Sequence, residues 1–155
     1  MLDNVKRKIA RVMKAEKQKN LAVFIDGPNI LRKELGIEIR EIKKIVSKIG
    51  EAKIAKVFLN QFATEKLIEA IANEGFEPVI TIGDVDVAMA VEATAAAFNP
   101  FINTIVYVTR DSDFVPSIIK AKSQGKETVA LIVDSAAASA LKNTADKVFV
   151  IGEEE

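Results

Sequence analysis

Short apolar runs that break off at a carboxylate, each followed by a stretch of helical spacing, constrain this chain more than any other feature. Leu21-Ala22-Val23-Phe24-Ile25 is uninterrupted and stops at Asp26-Gly27-Pro28-Asn29. Parallel strands buried on both faces have this form. Gly27 and Pro28 break the strand, leaving Asp26 at its carboxyl end and Asn29 in the turn beyond. The pattern recurs in Ile54 to Leu59, in Phe76 to Ile82 with Pro78 near its start, in Asn103 to Val108, and in Glu127 to Val133, which ends at Asp134. Lys147 to Ile151 reads as a last strand.

Helical segments fill the intervals. Ile39, Ile42, Ile45, Val46 and Ile49 share one face from about Glu38 to Ile49, with Gly50 as the stop. Thr64 is an N-cap for a helix through Ala72, which Asn73 and Gly75 close. Alanine-rich Val87 to Phe98 should form a tightly packed helix ended by Asn99-Pro100. Phe114, Ile118 and Ile119 start a helix that Gly125 closes, and Ser135 to Asn143 forms a short one. Connections this long cannot be hairpins, so the sheet is mainly parallel and carries helices on both faces. The expected fold is a three-layer α/β sandwich.

At 155 residues the chain suits one domain able to bury a sizeable core. Histidine and cysteine are both absent. That excludes imidazole acid–base catalysis, thiolate nucleophiles, disulfides and zinc sites of the usual kind. The first residues lack the apolar core of a signal peptide and no run approaches membrane-spanning length, so a soluble, cytoplasmic protein with no membrane partner is expected.

Zero net charge conceals an uneven distribution. Residues 1–20 hold Lys6, Arg7, Lys8, Arg11, Lys14, Lys17 and Lys19 against Asp3 and Glu16, a balance of +5, which leaves −5 on the rest. Val5, Ile9, Val12 and Met13 recur at helical spacing among them, giving an amphipathic helix over 3–18 packed by one stripe. Residues 1–19 therefore read as a basic arm and 20–155 as the domain. Such an arm contacts a polyanion, folds back on its own acidic body, mediates dimerisation, or is simply a solvated helix.

In a parallel sheet every strand's carboxyl end lies on one edge, where ligands of open α/β folds bind. Asp26, Asp84, Asp86, Asp111, Asp113 and Asp134 all follow strands and gather on that rim. Carboxylates so close repel one another and need cations. Without histidine or cysteine, oxygen ligands point to Mg²⁺ or Mn²⁺, and two such ions roughly 4 Å apart can drive phosphodiester hydrolysis.

Each acid also has a plainer role available. Aspartates after strands commonly cap the next helix, and Asp84 and Asp134 are read as caps or solvated side chains rather than ligands. Asp26, Asp86 and Asp111 are read as ligands because the topology points them into one crevice. Asp113 has two readings, a cap for the helix beginning near Phe114 or a metal ligand of the second rank. Glu92 lies six residues past Asp86, about 240° around a helix, so it reaches the site only if Asp86 precedes the first full turn. Asn29 offers an amide for water or phosphate, or simply fits a turn. Glycine-rich phosphate loops are absent, as is the Asp-x-Asp of haloacid-dehalogenase-like phosphatases after strand one.

Three blocks now stand in order: Val23-Phe24-Ile25-Asp26-Gly27-Pro28-Asn29, Gly83 to Glu92, and Val108-Thr109-Arg110-Asp111-Ser112-Asp113-Phe114. With them the chain resembles the NYN domain family, in the LabA-like branch of the PIN-like nuclease fold, over roughly residues 20 to 150. The resemblance implies a metal-dependent ribonuclease with strand order 3-2-1-4-5, to which the run Lys147 to Ile151 would add a sixth strand at the edge. It implies metal-site roles for Asp26, Asp86, Asp111 and Asp113, supported by Asn29 and Glu92. Where the family usually has Ser-Gly before Asp-Ser-Asp, this chain has Thr109-Arg110, and Arg110 either contacts the scissile phosphate or neutralises Asp111.

The expected function is therefore endonucleolytic hydrolysis of RNA with Mg²⁺ or Mn²⁺. Asp26, Asp86 and Asp111 would hold a first ion, Asp113 and Glu92 would complete a second site, and Asn29 would orient water or phosphate. Lys6 to Lys19, with Lys120 and Lys122, would steer the RNA, since a body of net −5 cannot attract a polyanion unaided. The alternative is a non-catalytic RNA-binding or regulatory module on the same fold.

Overall fold

The computed structural model describes residues 1–16, 19–134 and 138–152. Six strands, β1 (Asn20–Asp26), β2 (Glu51–Asn60), β3 (Glu77–Thr81), β4 (Thr104–Val108), β5 (Glu127–Ile132) and β6 (Lys147–Val150), form one sheet. Its order is β3-β2-β1-β4-β5-β6, and every neighbouring pair is parallel. The expected three-layer α/β architecture and strand order are thus observed, with β6 as the sixth, edge strand.

Alternation along the central strands divides the core in two. Leu21, Val23 and Ile25 of β1 and Val106 and Val108 of β4 face the layer that holds α3 (Ile39–Ile49) and α4 (Glu65–Asn73). Ala22, Phe24, Ile105 and Tyr107 face the opposite layer, with α5 (Val85–Ala96), α6 (Val115–Ser123) and α7 (Ser139–Thr144). Period-two burial of both faces explains why these strands read as unbroken apolar runs. The same parity carries Asp26 and Thr109, one step further on, towards the α5–α6 layer.

Local signals act where the sequence puts them. The Thr64 hydroxyl accepts the Leu67 amide at 3.2 Å and caps α4, and Pro78 occupies an edge strand. β2 begins three residues before the apolar run that predicts it, because Glu51 and Ala52 pair with Asn20 and Leu21 through the backbone although their side chains are exposed. α5 begins at Val85, two residues early, because its cap is Asp84. Before α6, Ser112–Phe114 forms a 3-10 turn. Of the helix expected over 135–143, residues 135–137 lie outside the described residues; α7 runs from Ser139 to Thr144, with Ala138 at its N-cap position.

One expectation needs correction. α1 (Leu2–Glu16) is helical as its spacing predicts, but Leu2, Val5 and Ile9 are each more than half exposed, so this stripe is not packed on the sheet domain. Helical periodicity fixes which residues share a face and says nothing about what that face meets. Among the described residues, no helix is long and apolar enough to cross a membrane.

Candidate metal centre

The sheet's strand order reverses between β1 and β4, where the chain winds outward through β2 and β3 and returns on the other side. At such a switch point the two following connections diverge and leave a crevice. Asp26 closes β1 and is fully buried. It is followed at once by α2 (Gly27–Ile30), with Pro28 in its first turn. Gly27 is needed for space: a Cβ there would run into the Phe58 carbonyl of β2 and sit 2.6 Å from Leu59 Cδ2. This tight turn brings Asn29 back over the strand end, where its amide donates to Asp26 Oδ2 at 2.7 Å.

β4 supplies the second wall. Ile25 and Val108 are partners in the ladder, so Thr109 emerges beside Asp26. Its buried hydroxyl donates to Asp26 Oδ2 at 3.1 Å and accepts the Asp111 amide at 3.1 Å. Asp111 Oδ1 accepts the Asp113 amide at 2.8 Å, so Asp111 is the residue that caps the turn into α6. Asp113 is left with an exposed carboxylate of its own.

α5 brings the third acid. Asp84 Oδ1 accepts the Asp86 amide at 2.9 Å, the capping role expected of it. Asp86 then lies in the first turn of α5 on the side towards α6. Three buried or half-buried hydroxyls fix that side. Tyr107 shares a 2.9 Å hydrogen bond with Ser117 of α6, and Ser117 another of 2.9 Å with Thr94 of α5. Burial pushes the Tyr107 phenol up to about 12, so it remains a neutral strut.

Together these elements place ligand oxygens of Asp86, Asp111 and Asp113 within 4.8 Å of one another. Asp26 sits close enough to raise the proton affinity of Asp86, and one of its own oxygens, Oδ1, is buried with no hydrogen-bond partner among the described residues. Burial pushes the Asp26 carboxyl up, opposed by the bonds from Asn29 and Thr109. Asp86 is pushed up to about 7, first by burial, then by its contact with the Asp111 carboxyl and the charges of Asp26, Asp111 and Asp84. Among the described residues no lysine or arginine pairs with any of these four acids. The arrangement is an electrostatic deficit that a divalent cation would remove, and its oxygen donors are those a hard divalent ion takes.

Beside this group a cleft of about 310 Å³ is lined by Asn29, Arg110, Asp111, Ser112 and Asp134, with apolar Ile132, Val133 and Ala138. Arg110 is exposed and, among the described residues, makes no ion pair.

The structure does not bring Glu92 to the group. Its carboxylate lies 3.4 Å from Lys56 Nζ of β2. Asp86 and Glu92 flank opposite sides of the buried stripe Val85, Met89 and Ala93, one towards β4 and the other towards β2. Starting α5 at Val85 leaves no irregular turn that would bring the two onto one face. Several expected RNA-steering side chains are likewise engaged. Lys19 pairs with Glu127 at 2.7 Å, and Lys122 reaches the Thr144 carbonyl at 2.9 Å and Asp146 at 3.7 Å. Lys17 lies outside the described residues. Thr109, which sequence reasoning passed over, could have been found from strand parity.

The sequence profile of the NYN domain matches residues 20–152. The chain belongs to this family. Its six-stranded parallel sheet is that of a PIN-like NYN domain. An uncharacterized protein of Methanocaldococcus jannaschii is 52% identical over 144 residues, which cover 91% of this chain and 60% of that protein. The NYN chain thus spans under two thirds of the length of this relative. A crystal structure of an oxidoreductase from Thermotoga maritima aligns with a TM-score of 0.40 and 11% identity, over 86% of this chain and 38% of that one. So loose a likeness says nothing about the chemistry of this NYN domain. Membership does bear on it, since NYN domains are PIN-like nucleases that use divalent metals, and the acidic cluster is where one could bind.

Proposed function

We propose that this protein is a cytoplasmic ribonuclease that cuts RNA internally with Mg²⁺ or Mn²⁺ held by Asp86, Asp111 and Asp113. One observation carries the reading: three carboxylates with ligand oxygens within 4.8 Å of one another, and no ion pair to balance them among the described residues. The unpartnered Oδ1 of Asp26 supports it, since a buried carboxylate oxygen left without a donor is costly unless a ligand meets it. A bound cation supplies the charge that keeps these acids ionised together and polarises water and the phosphate oxygens.

The chain's own residues do the rest. Asn29 and Thr109 hold Asp26 in one orientation. Asp111 fixes the turn from which Asp113 projects. Arg110, on the wall of the cleft, binds a phosphate of the RNA chain, while Ser112 and Asn29 line the space next to it. RNA as the substrate is supported by family membership and by the basic residues of 1–19, which we treat as an arm distinct from the 20–155 domain. Self-association belongs to the same reading, supported by apolar side chains that α1 and α5 leave in solvent.

The test is cleavage of end-labelled single-stranded RNA by wild type and Asp111→Asn, with Mg²⁺, with Mn²⁺ and with chelator. Wild type should cut only with metal, and Asp111→Asn should fall to background. Equal cleavage by both proteins would sink the nuclease reading and leave a non-catalytic RNA-binding module.

A further inference from the structure

A polyanion that reaches the carboxylate rim meets few cations there. The connections that run from the carboxyl end of each strand to the following helix, α3 to α7, carry three basic residues, Arg32, Lys33 and Arg110. None of the three makes an ion pair among the described residues. Elsewhere on the domain several cations are engaged by acids, Arg40 and Lys43 by Glu74 and Lys56 by Glu77 and Glu92.

Arg32 and Arg110 belong to opposite walls of the crevice. Arg32 is on the connection from β1 to α3, in one helical layer, and Arg110 on that from β4 to α6, in the other. At the switch point between β1 and β4 these connections part to the two faces of the sheet.

Arg32 is also held in place. Its Nε donates to the Pro28 carbonyl at 3.1 Å, in the turn that begins at Asp26. Pro28 adjoins Asn29, whose amide bonds Asp26 and whose side chain lines the cleft shared with Arg110. The residue is exposed. A guanidinium fixed through Nε keeps both terminal amino groups for another partner, and their fork matches two oxygens of a phosphate.

We infer that Arg32 is a second phosphate-binding residue for RNA, so that the strand crosses the crevice with one phosphate on Arg110 and another on Arg32. The inference rests on the ribonuclease reading above and gives internal cleavage a physical basis. A strand held on both walls lies across the metal cluster, whereas one held on a single wall is as well suited to cutting at an end. Both contacts are to phosphate, so they position the strand without reading its bases.

The test is fluorescence anisotropy with labelled oligouridylate and oligoadenylate, with chelator present so that binding is read apart from cleavage. Wild type, Arg32→Ala, Arg32→Lys and Lys48→Ala are compared. Lys48 is an exposed control in the last turn of α3, at the opposite edge of the sheet. Arg32→Ala should weaken both RNAs about tenfold, as for one charge-assisted contact, and lower the slope of log affinity against log salt by about 0.7. Arg32→Lys should restore the slope and part of the affinity, which a role in shaping the turn would not do. Lys48→Ala should bind as wild type does. Unchanged affinity in Arg32→Ala, or equal losses in Arg32→Ala and Lys48→Ala, would overturn this inference alone when wild type with metal still cuts RNA. A wild type that binds RNA without cutting it, yet loses affinity in Arg32→Ala, would keep the phosphate contact and remove the nuclease.

Discussion

Thr109 and Asp26 are joined through a single buried hydroxyl, which donates to Asp26 Oδ2 at 3.1 Å and also accepts the Asp111 amide. That oxygen ties the end of β1 to the turn after β4, and so couples the buried acid to the cluster. Thr109→Val keeps the shape and removes the hydroxyl, leaving the Asp111 amide without its acceptor and Asp26 with one donor fewer. The expected cost is about 1 to 3 kcal/mol in urea unfolding, with a fall in metal-dependent cleavage. Thr109→Ser should restore both. Equal stability of the valine and serine variants would remove the hydroxyl from this role.

The cluster should make the metal-free protein weaken as pH rises. Asp86 is pushed up to about 7 from an ordinary value of 3.8, and Asp26 is also raised. Between those two values the folded chain retains a proton at Asp86 that the unfolded chain has lost, so stability falls as pH climbs through that window. The stabilising contribution is whole below the unfolded value and gone above about 7. With chelator present, Asp86→Asn should therefore have a flatter melting-temperature profile than wild type and melt higher at pH 8. Mg²⁺ or Mn²⁺ at pH 8 should raise the melting temperature of wild type and leave the variant where it was. Parallel profiles for the two proteins would contradict the repulsion.

Much of this site was legible before the fold was seen, for a physical reason. The runs ending at Asp26 and Val108 are buried on both faces, so they appear as unbroken apolar strings, and parallel topology alone sends their ends to one edge. What stayed hidden depends on rotation and partners. The 240° between Asp86 and Glu92 was visible, but the side of α5 facing β4 was set by Thr94, Ser117 and Tyr107, a hydroxyl chain that no local pattern announces. The choice of Asp111 over Asp113 as cap turned on a 3-10 turn before α6. The exposed stripe of α1 follows the same rule, since periodicity defines a face without naming what covers it.

Glu92 offers a contrast within one helix. It is paired with Lys56 at 3.4 Å on the flank of α5 away from the cluster. Glu92→Gln should leave Mn²⁺ affinity and RNA cleavage within about twofold of wild type, and should change stability by less than about 1 kcal/mol, as for exposed ion pairs. Calorimetric titration with Mn²⁺ checks the first point. A clear loss of affinity would return Glu92 to the metal site.

Arg110 separates two roles that a guanidinium beside a carboxylate can have. If it neutralised Asp111, its removal would tighten cation binding; if it serves the phosphate chain, cation binding should not change. It makes no ion pair among the described residues and shares a cleft wall with Asp111 and Ser112, which favours the second role. Arg110→Ala should therefore raise KM for RNA with little change in kcat, because a contact held equally in ground and transition states acts on binding alone. Loss of one phosphate contact should also lower the slope of log affinity against log salt by about 0.7 for a single strand. Arg110→Lys should recover part of the affinity, keeping the charge without the forked geometry. Tighter Mn²⁺ binding by Arg110→Ala, with KM unmoved, would instead make this arginine a brake on the metal site.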